Sequence, residues 1–209
     1  MLLTERIIAS IGIVWVIISI IVQWAQSRGT GRTDYSARSG DVIRGIIYNF
    51  TWAMLPSHKE TVRLHPYKFV IGTLMHIGIF LALAKALMLI VWPQVLHYNP
   101  AVPVVILAIA ILCGIYLFFR RVLSSDLRKM SAPEDYISVV VTLGFMIAAM
   151  AHESGLISPG AFLICAAIVF FYMPIGKLKH AWFFFIARAD YGARLGYRGT
   201  YPARNGAGE

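Results

Sequence analysis

Two of the six histidines lie within apolar sequence, where an imidazole finds little water. His76 is in the stretch FVIGTLMHIGIFLALAKALM, residues 69–88, and His180 is in an apolar run over 159–187. The others fall in or beside polar connections: His58, His65, His97 and His152. A neutral imidazole nitrogen is a good ligand for transition metals, haem iron among them. His76 and His180 are therefore the first candidates for chemistry.

Counting along helices places the two imidazoles at one level. His76 is seven residues past Phe69, and His180 is seven residues before Ala187. At about 1.5 Å of rise per residue, each would lie roughly 10 Å inside the same membrane boundary. Two such imidazoles could ligate one haem iron from opposite sides and leave no open position, which favours electron transfer. The alternatives are a His76 hydrogen-bonded between packed helices and an interfacial His180.

The residues near His76 would suit a flat macrocycle. Gly72, one helical turn earlier, leaves out a side chain where a porphyrin edge would pass. Thr73 could accept the second ring N–H, directly or through its carbonyl neighbours. Haem propionates need cations, and the following gather on one predicted side of the membrane: Arg63, Arg120, Arg121, Arg128, Lys177 and Lys179.

Lys85 is a second unusual residue in the same run. It lies nine residues beyond His76, which is about 13 Å along a helix. An ammonium at this depth must be paired, neutral or facing a polar cavity. The apolar runs contain no Asp or Glu, so backbone carbonyls, water or a ligand such as a quinone carbonyl are the expected partners. Snorkelling to the outer interface is the alternative.

The elements that must position these residues are membrane helices. The 209 residues are 58% hydrophobic and 14% charged, with a mean hydropathy of +0.69. Five apolar runs cover about 7–24, 69–92, 101–119, 136–151 and 159–187, each near the length of roughly 17–25 residues that spans a bilayer. They lack the alternation of barrel strands. The sequence predicts one all-α membrane domain, a bundle of five transmembrane helices, in which His76 and His180 could hold a haem; the b type of that haem is what the resemblance described below implies.

The distribution of charge predicts the orientation of the helices. Lys and Arg concentrate between the first two runs, after the third and after the fifth, whereas the connections WPQVLHYNP and HESGLISP contain neither. By the positive-inside rule the N-terminus is outside and the C-terminus is cytoplasmic. The net charge of +9 then reports topology and not nucleic-acid binding. We expect a multi-pass protein of the inner (cytoplasmic) membrane.

The cytoplasmic connection over 25–66 divides into two halves. The first is polar and Gly-rich, whereas DVIRGIIYNFTWAML has apolar residues near helical spacing. This predicts a helix over about 41–55 along the inner membrane surface, with Ser39 or Asp41 as N-cap and Pro56 at its end. A loop with buried anchors is the alternative. The cytoplasmic tail covers 188–209, and its Gly-, Pro- and Arg-rich part from Gly192 onward is expected to form an extended arm on a partner.

Three segments resemble the membrane cytochrome b family. They are LMHIGIF, RRVLSSDLRKMSAPEDYISVVVTLGF and MPIGKLKHAWFFFIARADYGARLGYRG. The family includes the gamma subunit of respiratory nitrate reductase, and the similarity is greatest to the membrane subunits of heterodisulfide reductase and of the sulfite-reductase-associated complex. It covers the chain from about residue 55 onward. Its most specific features are a His-x-Gly-Ile at residues 76–79 and a Lys-Leu-x-His at residues 177–180.

The resemblance implies a five-span subunit that holds two b haems and connects a quinone pool with a cytoplasmic iron–sulfur subunit. His76 and His180 match the pair around the haem nearer the cytoplasm. The second pair of histidines would fall at Ala86 and Phe162, so we expect a single haem b. Lys85 would border the space left by the other haem, which makes it the candidate for a quinone site.

We therefore expect a haem b anchor subunit of a respiratory oxidoreductase. Chemistry on the final substrate would belong to the iron–sulfur partner, because the chain has no Cys cluster, catalytic triad or phosphate-binding glycine loop. One alternative is a haem-free quinone-binding or proton-conducting subunit in which His76 and Lys85 relay protons. The other is a purely structural anchor.

Overall fold

The computed structural model describes residues 2–28, 39–92 and 99–200, without the side chains of residues 60 and 61. Over these residues the chain is helical and contains no strand, which confirms the predicted all-α class. The helices are α1 (Leu2–Arg28), α2 (Val42–Phe50), α3 (Glu60–Leu64), α4 (Pro66–Val91), α5 (Ala101–Leu123), α6 (Ser125–Lys129), α7 (Pro133–Glu153), α8 (Pro159–Tyr172) and α9 (His180–Tyr197). Short 3-10 turns cover Trp52–Met54, Pro56–His58 and Lys177–Lys179. His97, most of the Gly-rich half of the 25–66 connection and the end of the tail lie outside the described residues.

Four of the described helices are long and apolar enough to cross a membrane: α1, α4, α5 and α7. The fifth expected span, 159–187, is not one helix, because α8 ends at Tyr172 and α9 begins at His180. Only α8 and α9 taken together, as a bent pair, could form a fifth crossing. Pro174 explains the interruption, since proline lacks the N–H for a helical hydrogen bond and its ring clashes with the carbonyl four residues earlier. The helices suit a multi-pass membrane protein, while the fifth span and the orientation stay predictions.

The chain divides into two compact units, each described by itself. The first, here the long-helix unit, comprises residues 1–22 and 67–178. Small residues bring its helices close together: a Cβ added to Gly78 of α4 would lie 2.2 Å from the Cβ of Ala110 on α5. Such close approach is typical of helix packing in membranes. Five helices contribute buried side chains, including Ala9, Val16, Met75, Ala82, Leu107, Ala110, Phe145, Met146, Phe162 and Ala166.

The second, here the α2–α9 unit, comprises residues 23–66 and 179–209. Asp41 caps α2, because its carboxylate accepts hydrogen bonds from the backbone N–H groups of Ile43 and Arg44 at 2.9 and 3.1 Å. α2 then packs against α9 at glycines: a Cβ on Gly45 would lie 2.3 Å from the carbonyl oxygen of Gly192. Of the two N-cap candidates, the structure has Asp41, and the helix ends at Phe50 before Pro56.

One buried amide links the two helices of the α2–α9 unit. Asn49 is completely buried, and its Nδ2 donates to the backbone carbonyl of Arg188 at 2.6 Å, while its Oδ1 accepts from Arg188 Nη1 at 3.0 Å. A buried polar group of this kind is stabilising only when it is satisfied. The glycine contacts and this amide hold α9 helical as far as Tyr197, where the sequence predicts an extended arm from Gly192 onward.

Candidate functional site

The imidazole of His76 is held by its own helix. Its Nδ1 lies 2.7 Å from the carbonyl oxygen of Gly72 on α4. A carbonyl can only accept, so Nδ1 carries the proton and Nε2 keeps the lone pair that can bind a metal. The ring is exposed and bonded within α4, which does not favour the alternative of a histidine hydrogen-bonded between packed helices. Sequence reasoning names Thr73 first as the acceptor, but the structure uses the carbonyl of Gly72.

The surface of α4 beside His76 has room for a flat group. A Cβ added to Gly72 would meet nothing within 4 Å. On the other side, the Phe80 ring centroid lies 6.4 Å from that of His76, and Ile77 is also exposed. An exposed imidazole beside a glycine and apolar side chains fits a haem, which would take a nitrogen ligand and an apolar environment from these residues.

His180 is the first residue of α9 and is exposed. It belongs to the α2–α9 unit, whereas His76 belongs to the long-helix unit. The equal depth of the two histidines rests on a continuous helix over 159–187, and the interruption before His180 removes that basis. Ligation of one iron by both imidazoles therefore stays a prediction.

Two of the expected propionate cations, Lys177 and Arg121, already have a carboxylate partner. Lys177 Nζ lies 2.7 Å from Asp135 Oδ2, and Arg121 Nη1 lies 3.2 Å from the other carboxylate oxygen. Asp135 also accepts the backbone N–H of Ala132 at 2.9 Å, as expected of an acidic residue in the first turn of a helix. Arg63 and Arg128 are exposed, and they remain the more available cations of the predicted set.

Lys85 forms an ion pair that the sequence does not predict. Its Nζ lies 2.9 Å from Glu153 Oε1, and the side chains are 12% and 5% exposed. The apolar run that contains the fourth span ends at residue 151, but α7 continues through Glu153 and brings this carboxylate to α4. The expectation that Lys85 has no carboxylate partner is wrong. Because Glu153 pairs with the ammonium, Lys85 does not have to extend to the outer interface to be stabilised.

The space beside Lys85 is filled with side chains. Ala86 and Phe162, where the resemblance would place the second pair of histidines, are completely buried. The Phe162 ring stacks between His152, at a centroid distance of 5.5 Å, and Phe145, at 5.7 Å. The vacated space expected next to Lys85 is therefore occupied by a packed stack of rings.

Further charged groups lie at the end of the long-helix unit where α1 begins and α4 ends. Arg6 of α1 donates from Nε and Nη2 to the carbonyl oxygen of Ile90, at 2.9 and 2.5 Å. This satisfies one of the carbonyls that the last turn of α4 leaves without a helical partner. Glu5 packs against Gly160 of α8, where an added Cβ would lie 3.2 Å from its Cδ.

Comparison with known proteins adds no family assignment to this geometry. No family model, no curated protein and no solved structure matches the chain. The function must therefore be argued from the residues and from the sequence resemblance.

The Lys85–Glu153 pair predicts a non-additive effect on stability. Lys85→Met leaves a buried carboxylate without its partner and should lower the free energy of unfolding by about 3 kcal/mol. Glu153→Gln should also be destabilising, and the double variant should recover most of the loss. Thermal unfolding midpoints in detergent measure this cycle. Effects that simply add would show that the two side chains do not interact in the folded protein.

Proposed function

We propose that this chain is a haem b subunit of the cytoplasmic membrane that passes electrons between membrane quinones and a cytoplasmic iron–sulfur partner. The observation that carries the proposal is the geometry of His76. An apolar helix exposes an imidazole whose Nδ1 donates to the Gly72 carbonyl, and a Cβ added at Gly72 would meet nothing within 4 Å. Ionisable residues in membrane helices are costly and usually mark a functional site.

The sequence resemblance to the membrane cytochrome b family supports the same reading. It matches His76 and His180 to one ligand pair, and it leaves Ala86 and Phe162 where the other pair would stand. We therefore infer one haem. A bound haem b with two imidazole ligands would supply a one-electron carrier without an open coordination position.

This chain's own residues would hold that group. His76 would bind iron through Nε2, and the Gly72 carbonyl would fix the plane of its imidazole ring. His180 would provide the second nitrogen. Arg63 and Arg128 would pair with the propionates, whereas Lys177 would have to share its charge with Asp135.

The quinone proposal at Lys85 has to include Glu153. A quinone at Lys85 would have to lie outside the stack of Phe162 and His152, with its carbonyl accepting from an ammonium that Glu153 already holds. The same ion pair favours the rival function of a haem-free subunit that moves protons, because Lys85, Glu153 and His152 place titratable groups together at the ends of α4 and α7. A visible absorption spectrum distinguishes the haem b subunit from the haem-free, proton-conducting subunit, because only the first contains a coloured group.

Substitution of His76 and His180 tests the two proposed iron ligands. Purified protein should show the reducible visible band of a b-type haem, and both His76→Ala and His180→Ala should lose it. His65→Ala is the matched control, because His65 is exposed and in a polar connection, and it should keep the band. Reduced-minus-oxidised spectra, with circular dichroism to confirm folding, make the measurement.

A colourless wild-type protein with full helical content would reject haem binding and leave the proton-conducting or structural reading. A band that persists in either alanine variant would reject that histidine as a ligand.

The second prediction concerns the open position beside His76. Gly72→Leu adds a side chain where the macrocycle is proposed to lie, so the Kd for haem should rise at least about tenfold, or roughly 1.4 kcal/mol, and haem content at a limiting haem concentration should fall. Gly144→Leu is the matched control, since a Cβ at Gly144 also meets nothing within 4 Å. Neither change should destabilise its helix, because Leu has the higher helix propensity. Equal haem content in the two variants would exclude a macrocycle at Gly72.

A further inference from the structure

The α2–α9 unit contains a cavity of about 610 Å³ that the proposed function does not use. Its volume is in the range of roughly 300–1,000 Å³ that is common for small-molecule sites. All of the residues that line it belong to this one unit: Tyr48, Asn49, Ala53, His58, Lys59, Phe184, Ala187, Arg188 and Tyr191.

Lys59 and Arg188 both contact the sulfur of Met54 at this cavity, and that sulfur is a poor hydrogen-bond acceptor. Lys59 Nζ lies 3.8 Å from the sulfur of Met54, and Arg188 Nη2 contacts the same atom. A thioether is a weak acceptor and carries no charge, so it does not neutralise either group. Arg188 Nε is shielded from solvent and has no hydrogen-bond partner within the described part of the chain. None of the lining residues is Asp or Glu.

The electrostatics of the cavity favour an anion. Burial, and then the charge of Arg188, lower the pKa of the Lys59 ammonium. Both causes act because the positive charges are partly removed from water, and no carboxylate among the described residues is seen to pair with Lys59 or Arg188. An anion held between Lys59 and Arg188 would offset the repulsion between the two positive charges and stabilise the charged form of Lys59.

The walls of the cavity are aromatic. Tyr48, Phe184 and Tyr191 line it, and the Arg188 guanidinium lies 5.7 Å from the Phe184 ring centroid. His58 Nδ1 lies 2.9 Å from the carbonyl oxygen of Trp52, to which it donates a hydrogen bond. A ligand with one strongly anionic group beside apolar atoms matches such a lining better than a small inorganic ion does.

The surface of the same unit shows where such a ligand would come from. Large apolar side chains of α2 and α9 are exposed, among them Ile43, Ile47, Trp182 and Phe185. A helix pair with exposed aliphatic and aromatic residues around a cationic cavity is suited to a membrane interface. We propose that this cavity binds the phosphate of an anionic phospholipid headgroup, with the acyl chains along the exposed apolar residues.

The test uses the full chain in detergent, titrated with short-chain phosphatidylglycerol, short-chain phosphatidylcholine and soluble glycerol phosphate. Phosphatidylglycerol should bind most tightly. Lys59→Gln should weaken that binding about fivefold, the effect expected for one basic residue at an anionic lipid surface. Arg44→Gln is the matched control, since Arg44 is an exposed cation of the same unit outside the cavity lining, and it should bind as the wild type does.

Arg188→Gln should weaken binding further, but it also removes the hydrogen bond to Asn49, so Lys59→Gln decides if that variant does not fold. Equal losses in Lys59→Gln and Arg44→Gln would overturn the proposal in favour of non-specific attraction. Glycerol phosphate binding as tightly as the lipid would assign the cavity to a soluble phosphate instead. None of these results depends on haem, so the two proposals can fail separately.

Discussion

The hydrogen bond between His76 Nδ1 and the Gly72 carbonyl determines what the rest of the long-helix unit can do. An imidazole has two nitrogens, and on an apolar helix each one without a partner is costly. The helix itself supplies a partner for one, because a carbonyl four residues earlier lies on the same face. In the neutral imidazole the other nitrogen keeps its lone pair, and residue 72, one helical turn earlier, has no side chain. The proposed haem site follows from this asymmetry.

Much of the fold can be read from the sequence because apolar runs of membrane length have few alternatives to helix. Four of the five predicted runs correspond to α1, α4, α5 and α7, and the spacing of apolar residues after Asp41 predicts a helix where α2 lies. Composition does not predict where an apolar run is divided into two helices. The break after Tyr172 depends on Pro174 and on local packing. The glycine-mediated contact between α2 and α9 joins segments far apart in the chain, which no local pattern encodes.

The site is predictable in part for the same reason. His76 and Lys85 are conspicuous in an apolar run, so residue type alone singles them out. Residue type alone does not identify the partner of Lys85, because Glu153 lies after the end of the apolar run and is brought to α4 only by helix packing. Such a pair stabilises little by itself, yet loss of one member is costly, and the same physics makes the Lys59 and Arg188 cavity distinctive. One site contains a cation with its carboxylate, and the other contains two cations with no Asp or Glu among the described residues that line it.

The central claim is that Nε2 of His76 binds haem iron, and chemical rescue tests it most directly. Electron paramagnetic resonance of the oxidised wild-type protein should show low-spin ferric iron, as expected for two imidazole ligands. His76→Gly should lose this signal, and free imidazole added to that variant should restore it by occupying the emptied ligand position. A low-spin signal that is unchanged in His76→Gly without imidazole would contradict the account.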